Sequence, residues 1–276
     1  MPELPEVEVV VHQLRLHILG ATVRKIWIGR EDIIRQGLST LGWYQGVTLT
    51  DIQRCGKCIV MTCLRGTQPR YLVAELGMTG LLVFHKQAIP DEKHTHMVLS
   101  LDGGRVPELR YWNARRFGRL YFLDQPGLDT FLRRRFGLDP FSMSEVQFIS
   151  LVKACRGRMK ALLLNQQKIA GIGNIYANEI LYRARIHPHA QGARLSKARI
   201  QQLYGAMREV LKEAIRYGGS TIRDFRAPDG TPGRFQERHQ VYQKAGLPCP
   251  RGCKTLLRRL VTERSSFYCP TCQGRS

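Results

Sequence analysis

The chain opens Met1-Pro-Glu-Leu-Pro-Glu-Val-Glu-Val-Val-Val-His-Gln-Leu-Arg-Leu-His-Ile18, and this stretch decides how the N-terminus is held. Val7, Val10, Val11, Leu14 and Ile18 recur at helical spacing, which predicts a helix over 6–18 that pins the terminus to the protein body. A proline after an initiator Met is small enough for Met removal, which leaves a secondary amine at residue 2. A free terminal amine has a pKa near ~8, is partly neutral at physiological pH, and can attack an electrophilic carbon to form a Schiff base. Glu3 and Glu6 place carboxylates one and four residues beyond it. The competing reading is a frayed, solvated end.

Working outward, residues 22–123 change to short alternating apolar runs: Val23–Ile28, Cys58–Cys63, Tyr71–Ala74, Leu81–Phe84, Met97–Leu101 and Leu120–Leu123. Gly and Asp turns such as Leu101-Asp-Gly-Gly104 separate them, and strands at such spacing predict an antiparallel sandwich or barrel. After Asp124-Gln-Pro-Gly127 the texture turns helical. Ser144 with Gln147 is a capping-box start for a helix to about 154. Further helices are expected over about 158–167, from Asn174 to before His187-Pro188, and from Ser196 to Gly218-Gly219. Asp224–Gly233, with Pro228, Asp229-Gly230 and Pro232-Gly233, reads as a mobile loop.

Lysine and arginine number 43 against 22 aspartates and glutamates, a formal charge of +21 on 276 residues. That excess argues against an enzyme of small metabolites and for a polyanion partner, because each neutralised phosphate releases condensed counterions. A lipid surface is the competing polyanion. No apolar run reaches spanning length, however, and no basic-then-apolar leader precedes the first helix. The expectation is a cytoplasmic, nucleoid-associated protein with a nucleic-acid partner and no membrane.

Of the eight cysteines, Cys249, Cys253, Cys269 and Cys272 form two close pairs separated by 15 residues. Four thiolates so spaced fit a closed tetrahedral zinc site, which is structural rather than catalytic. The intervening Thr255–Tyr268 can form a hairpin made basic by Arg258, Arg259 and Arg264, and a module this small rarely folds without such a staple. Cys55, Cys58 and Cys63 lie in an apolar, strand-like run and read as buried reduced thiols. Asn165–Ile180 sets Gly171 and Gly173 in a turn before a helix. There, backbone N–H groups and the helix's positive end suit a phosphate, although a plain helix–helix turn explains the same residues.

Together these features resemble the formamidopyrimidine-DNA glycosylase family, within the larger group that includes endonuclease VIII. The matching motifs are Pro2-Glu-Leu-Pro-Glu-Val-Glu8, Leu76-Gly-Met-Thr-Gly80, Arg115-Arg-Phe-Gly118, the Ala170–Tyr176 turn and the terminal cysteines. Leu4 favours the formamidopyrimidine type over endonuclease VIII. The resemblance spans the chain and implies a multidomain α+β protein. Residues 1–126 would hold an N-terminal helix plus antiparallel β-sandwich, and 127–238 a helix–two-turn–helix domain with a lesion-recognition loop. Residues 239–276 would form a C-terminal zinc finger hairpin around one structural Zn2+.

The implied activity is that of a bifunctional DNA glycosylase/abasic-site lyase of base-excision repair. A monomer would act on damaged double-stranded DNA, excise oxidised purines such as 8-oxoguanine and formamidopyrimidines, and cut the strand by β,δ-elimination. By resemblance, Pro2 would attack C1′, Glu3 would exchange protons around the sugar, and Glu6 would order the nucleophile's end. Lys57 would serve phosphate contact and β-elimination, and Arg264 would grip phosphates and serve δ-elimination. Asn174 would bind phosphate in the turn, with His94, Arg115, Arg156, Lys160 and Tyr242 as further DNA contacts. A stacked base cannot be attacked at C1′, so the nucleotide must be flipped out. Met78, Arg115 and Phe117 match the set that fills the gap, as apolar wedges do at kinked steps; without the resemblance, Met78 and Phe117 read as core packing.

Two departures stand out. The first cysteine pair brackets three residues, wider than the family's habit, and Asn113 stands where an Asp is common, so Arg115 would lack a carboxylate partner. The rival readings are the same chemistry aimed at oxidised pyrimidines, with base contact from the Thr221–Val241 loop, and a non-catalytic nucleic-acid-binding zinc protein.

Overall fold

A computed structural model of the chain describes residues 1–261 and 264–274. They form two compact units: 1–134 with 217–236, and 135–216 with 237–276. The partition into 1–126, 127–238 and 239–276 therefore does not coincide with the compact units.

The first unit begins with helix α1 (Leu4–Ile18). It starts two residues earlier than the periodicity predicts, because Pro5 in the first turn lacks an N–H that would have had no partner there anyway. Glu3 is the N-cap, and Glu6 Oε2 accepts its backbone N–H at 2.7 Å. Val7, Val10, Val11, Leu14 and Ile18 are buried, as their spacing requires.

Nine strands follow: β1 (Thr22–Ile28), β2 (Ile34–Gln36), β3 (Thr48–Cys55), β4 (Cys58–Arg65), β5 (Gln68–Glu75), β6 (Leu81–Val83), β7 (Thr95–Asp102), β8 (Glu108–Trp112) and β9 (Arg119–Leu123). Among the described residues they form one sheet in the order β2-β9-β5-β4-β3-β1-β7-β8-β6, antiparallel except for β2 with β9. Its two halves meet at β1 and β3 through a single register pair, Thr22 with Thr48. Both halves feed one core. Leu49, Ile59 and Leu72 come from one side, Val23, Met97 and Leu109 from the other, and α1 joins them. Each fully buried Leu or Ile contributes on the order of 2 kcal/mol relative to exposure.

Helix α2 (Gln125–Arg135) ends this part of the chain. Asp124 Oδ1 accepts the Gly127 N–H at 2.9 Å, so Gln-Pro-Gly is a capped helix start rather than a turn. Residues 217–236 return to the same unit. The Phe84 N–H donates to Pro228 O at 2.9 Å, Gln13 Nε2 donates to Asp229 at 3.2 Å, and Phe225 enters the sandwich core. The segment read as a loop is free of helix and strand from Asp224 to Gly233 and closes on itself through the Ala227 N–H to Thr231 O at 2.8 Å.

The second unit contains α3 (Glu145–Lys153), α4 (Met159–Leu164), α5 (Asn174–Arg183) and α6 (Lys197–Arg216), then the hairpin β10 (Arg258–Leu260) with β11 (Ser266–Tyr268). Ser144 and Gln147 form the expected capping box. Helix α5 is buried from Ile175 to Tyr182 and acts as the unit's spine. The hairpin does not stand apart from the helices: the Phe267 N–H donates to Asn178 Oδ1, and Gln273 Nε2 donates to Ile186 O, both at 2.8 Å. Glu179 accepts three amides, from Gln240, Val241 and Tyr242, at 2.8–3.0 Å. Burial nonetheless holds its carboxyl above the ordinary range. Thr262 and Glu263 of the hairpin, and Arg275 and Ser276 at the end of the expected finger segment, lie outside the described residues.

Candidate functional site

In the first unit the N-terminal carboxylates are held by backbone. Glu3 and Glu6 are 3% and 1% exposed, which no carboxylate tolerates without donors. Glu6 spends one oxygen on the Glu3 N–H and the other on the Ser220 N–H, each at 2.7 Å. The Gly218-Gly219 pair makes this possible. Gly219 has φ +77°, and a Cβ there would meet Glu6 Oε1 at 2.8 Å. Pro2 is buried at the mouth of α1, while Met1 is half exposed. Ser220 is a site residue that the sequence reading missed; the double glycine after a long helix was its only local signal.

Lys57 occupies the tight turn between β3 and β4, where Gly56 takes φ +58°. That hairpin is tied to α1 by Arg54, whose Nε donates to Glu8 at 2.6 Å with the arginine side chain 7% exposed. Pro2, Glu3, Glu6, Ser220 and the Lys57 turn therefore share one scaffold around the first two turns of α1. Of the nearby thiols, Cys58 and Cys63 are buried as expected and Cys55 is only half-buried; burial pushes the Cys63 thiol up to about 12.

Met78 and Phe117 are not core residues. They are 42% and 54% exposed, on turns whose backbones touch: a Cβ on Gly77 would meet Gly118 N at 2.4 Å. The Arg115 guanidinium lies over the Phe117 ring at 5.0 Å. Two exposed apolar side chains and a stacked cation thus project from one place. Asn113 is buried beneath them, bonded to Thr79 and Tyr111 rather than to the guanidinium. His94 is half-buried against Trp112, with ring centroids 5.9 Å apart.

In the second unit the glycine turn is shaped by Gln166, another residue the sequence reading missed. Its Oε1 accepts the Gly171 N–H at 2.9 Å and its Nε2 donates to Ile172 O at 2.8 Å. Gly171 takes φ +93°, and Asn174 is the first residue of α5, at the helix's positive end. Lys160, Arg158, Asn165, His189, Arg264 and Ser266 line a cleft of about 420 Å³. Lys160 is only 5% exposed. Its ammonium donates to Ser265 O and Ser266 Oγ at 2.7 and 2.8 Å, which holds the entry to β11 next to exposed Arg264. Arg156 is exposed nearby in sequence, and Tyr242 is half-buried against Phe267 at 5.4 Å.

The four cysteine sulfurs lie within 4.8 Å of one another, with Cys249–Cys272 at 3.9 Å and Cys253–Cys269 at 3.4 Å. Tetrahedral thiolates around an ion with ~2.3 Å bonds stand about 3.8 Å apart, so the cluster can bind a metal ion. The wider first pair contains Arg251. That arginine lies on the end of α5, where Nη2 donates to Tyr182 O and Arg183 O at 3.0 Å and the guanidinium stacks on Tyr182 at 4.5 Å. The Tyr182 hydroxyl in turn lies 3.3 Å from Cys249 Sγ. Burial raises the pKa of this phenol, so against a metal-bound thiolate it is the donor. Tyr182→Phe is expected to weaken metal affinity by roughly tenfold in a chelator competition; unchanged affinity would show that the bond does nothing for the ion.

Among the described residues no helix is long and apolar enough to cross a membrane. Residues 1–120 match the formamidopyrimidine-DNA glycosylase N-terminal domain, and residues 136–226 match the formamidopyrimidine-DNA glycosylase H2TH domain. A formamidopyrimidine-DNA glycosylase of Solibacter usitatus is 41% identical over 280 residues, covering 100% of both chains. The crystal structure of the MutM (Fpg) protein of Thermus thermophilus is 39% identical, covers 100% of each chain and superposes with a TM-score of 0.85. The Lactococcus lactis Fpg in complex with abasic-site DNA is 31% identical, with 99% of this chain and 100% of that one covered and a TM-score of 0.86.

Proposed function

We propose a specific chemistry on one premise: the chain belongs to the formamidopyrimidine-DNA glycosylase family, whose members are glycosylases and abasic-site lyases of base-excision repair. Once Met1 is removed, the Pro2 nitrogen attacks C1′ of an extruded nucleotide. The glycosidic bond breaks and the base leaves with a proton; Glu3 then protonates O4′, so the C1′–O4′ bond opens and the nitrogen lone pair closes to an iminium. The resulting iminium makes the C2′ hydrogens acidic, so the 3′ phosphate departs by β-elimination and the 5′ phosphate by δ-elimination. Water then releases the amine.

One observation carries this reading. Two carboxylates are buried at the mouth of α1: Glu6 orders the terminus through the Glu3 and Ser220 amides, and Glu3, adjacent to Pro2 in the chain, is the carboxyl assigned to proton exchange. Lys57, on the hairpin tied to α1, serves the phosphate leaving in β-elimination. Asn174 at the turn and Arg264 on the finger grip the backbone, with His94, Arg156, Lys160 and Tyr242 as further supports. The partner is damaged double-stranded DNA, met by a single chain of charge +21 in the bacterial cytoplasm. Zinc is the ion proposed for the four cysteines. It would brace the finger and takes no part in the reaction.

Oxidised purines, including 8-oxoguanine and formamidopyrimidines, are the proposed substrates. A duplex panel of oxidised purines and pyrimidines tests this: preference for the pyrimidines would move the substrate assignment while leaving the chemistry intact. Glu3→Gln is expected to keep DNA affinity while base excision falls roughly 10²–10⁴-fold, the range for losing a general acid–base group. Near-normal turnover would remove Glu3 from its role.

A further inference from the structure

We infer that Asn113 is a positioning residue for lesion extrusion, locking the Met78 turn and the Arg115–Phe117 turn into one rigid wedge. This rests on reading Met78, Arg115 and Phe117 as the group that fills the space left by the flipped nucleotide.

The lock is a chain of hydrogen bonds with a single direction. The Arg115 backbone N–H donates to Thr79 Oγ1 at 3.2 Å, and the Thr79 hydroxyl donates to Asn113 Oδ1 at 3.1 Å. Asn113 Nδ2 donates to the Tyr111 hydroxyl at 3.0 Å, which donates to Glu75 O at 2.8 Å. One end is a backbone N–H, able only to donate, and the other is a carbonyl, able only to accept. Those ends set the polarity of both hydroxyls, and the amide at 113 accepts on one side and donates on the other, which a carboxylate cannot do. Asn113 and Tyr111 are 0% exposed and Thr79 is 7% exposed, so water does not replace a broken link.

The Asn113 backbone joins the same lattice, its N–H donating to His94 O at 2.9 Å and its carbonyl accepting from His96 Nε2 at 3.0 Å. Gly118 closes over the top, since a Cβ there would meet the Tyr111 hydroxyl at 1.9 Å and Asn113 Nδ2 at 2.5 Å. Thr79 follows Met78 directly, and Arg115 precedes Phe117 by two residues. The chain of bonds therefore runs beneath the tips that project into solvent. An Asp at 113 would only accept. It would strand the Glu75 carbonyl and draw the Arg115 guanidinium down off the Phe117 ring, so the neutral amide leaves that cation available at the tip.

The test uses the full-length metal-loaded protein with two duplexes, one bearing 8-oxoguanine opposite cytosine and one bearing a preformed abasic site. Extruding a stacked base needs the wedge far more than extruding a bare sugar does. Asn113→Ala and the near-isosteric Thr79→Val should each slow single-turnover base excision by roughly tenfold, the kinetic equivalent of one buried hydrogen bond. Cleavage at the abasic site should stay within about twofold. The double variant should be no slower than the slower single one, because both cut the same chain. If Asn113→Ala fails to fold, Thr79→Val carries the test alone. Parallel loss of both activities, multiplicative effects in the double variant, or normal excision by both singles would each overturn the inference. Met78→Ala and Phe117→Ala separate it from its premise: if those excise normally, the wedge reading falls. If they are slow while Asn113→Ala and Thr79→Val are normal, only the lock falls.

Discussion

Changing Pro2 to glycine removes the borohydride-trapped protein–DNA adduct and lowers base excision by on the order of 10²-fold or more. The substitution is informative because glycine also permits Met removal, so the variant still presents a terminal amine at residue 2. What changes is the placement of that amine. The proline ring locks rotation about its own N–Cα bond and sits buried where α1 begins, one residue before the Glu3 N-cap, so its nitrogen lone pair is held in one direction. Glycine has no ring to bury and its primary amine rotates about N–Cα, so its lone pair samples several directions of which few face C1′. Orientation losses of this kind account for the expected drop. DNA affinity should be nearly unchanged, since it comes from cations elsewhere on the chain. Trapping of the glycine variant at the parent rate would sink the assignment of Pro2, as would an active enzyme whose intact mass retains Met1.

Much of this is legible in the sequence alone, and the exceptions have physical causes. Strands such as β4 and β9 are buried on most positions and announce themselves as apolar runs. β3 does not, because Asp51, Gln53 and Arg54 interrupt it and its register shifts between Leu49 and Asp51. β8 hides behind Arg110, a buried cation made tolerable by a bidentate pairing with Glu108. Helix α2 is masked by Pro126-Gly127, which looks like a turn until Asp124 is seen capping it. At the site, Pro2, Glu3, Glu6 and the four cysteines are visible from spacing and residue type. Ser220 is not, since its bond to Glu6 joins residues 214 apart. Nor is the return of 217–236 to the first unit, which rests on Phe225 entering the sandwich core and on hydrogen bonds to α1 and Phe84.

Changing Cys269 to serine should empty the metal site and unmake the finger while the sandwich unit keeps its own melting transition. Cys269 is fully buried, and its backbone is paired with Gln273 in both directions, at 2.9 Å into the side chain and 3.0 Å from the backbone. Gln273 in turn donates to Ile186 O just beyond α5, so the fourth-cysteine turn is also a fastening to the helical unit. Structural zinc supplies about 10–16 kcal/mol to modules of this kind, far more than the rest of the finger can. Among the described residues the hairpin has three register pairs between β10 and β11, and a two-stranded hairpin is marginal in water by itself. Its loss removes the Ser265 and Ser266 acceptors that hydrogen-bond the buried Lys160 ammonium, and with them the seat of Arg264. Affinity for a lesion duplex should then fall by about tenfold or more, and the salt dependence should flatten by about one unit for each phosphate that the finger no longer neutralises. Metal content by mass spectrometry and binding across a salt series measure both. A serine variant that keeps its ion, or that loses the ion yet binds DNA with the parental salt slope, would mean that the finger's cations are held in place by something other than the four thiolates.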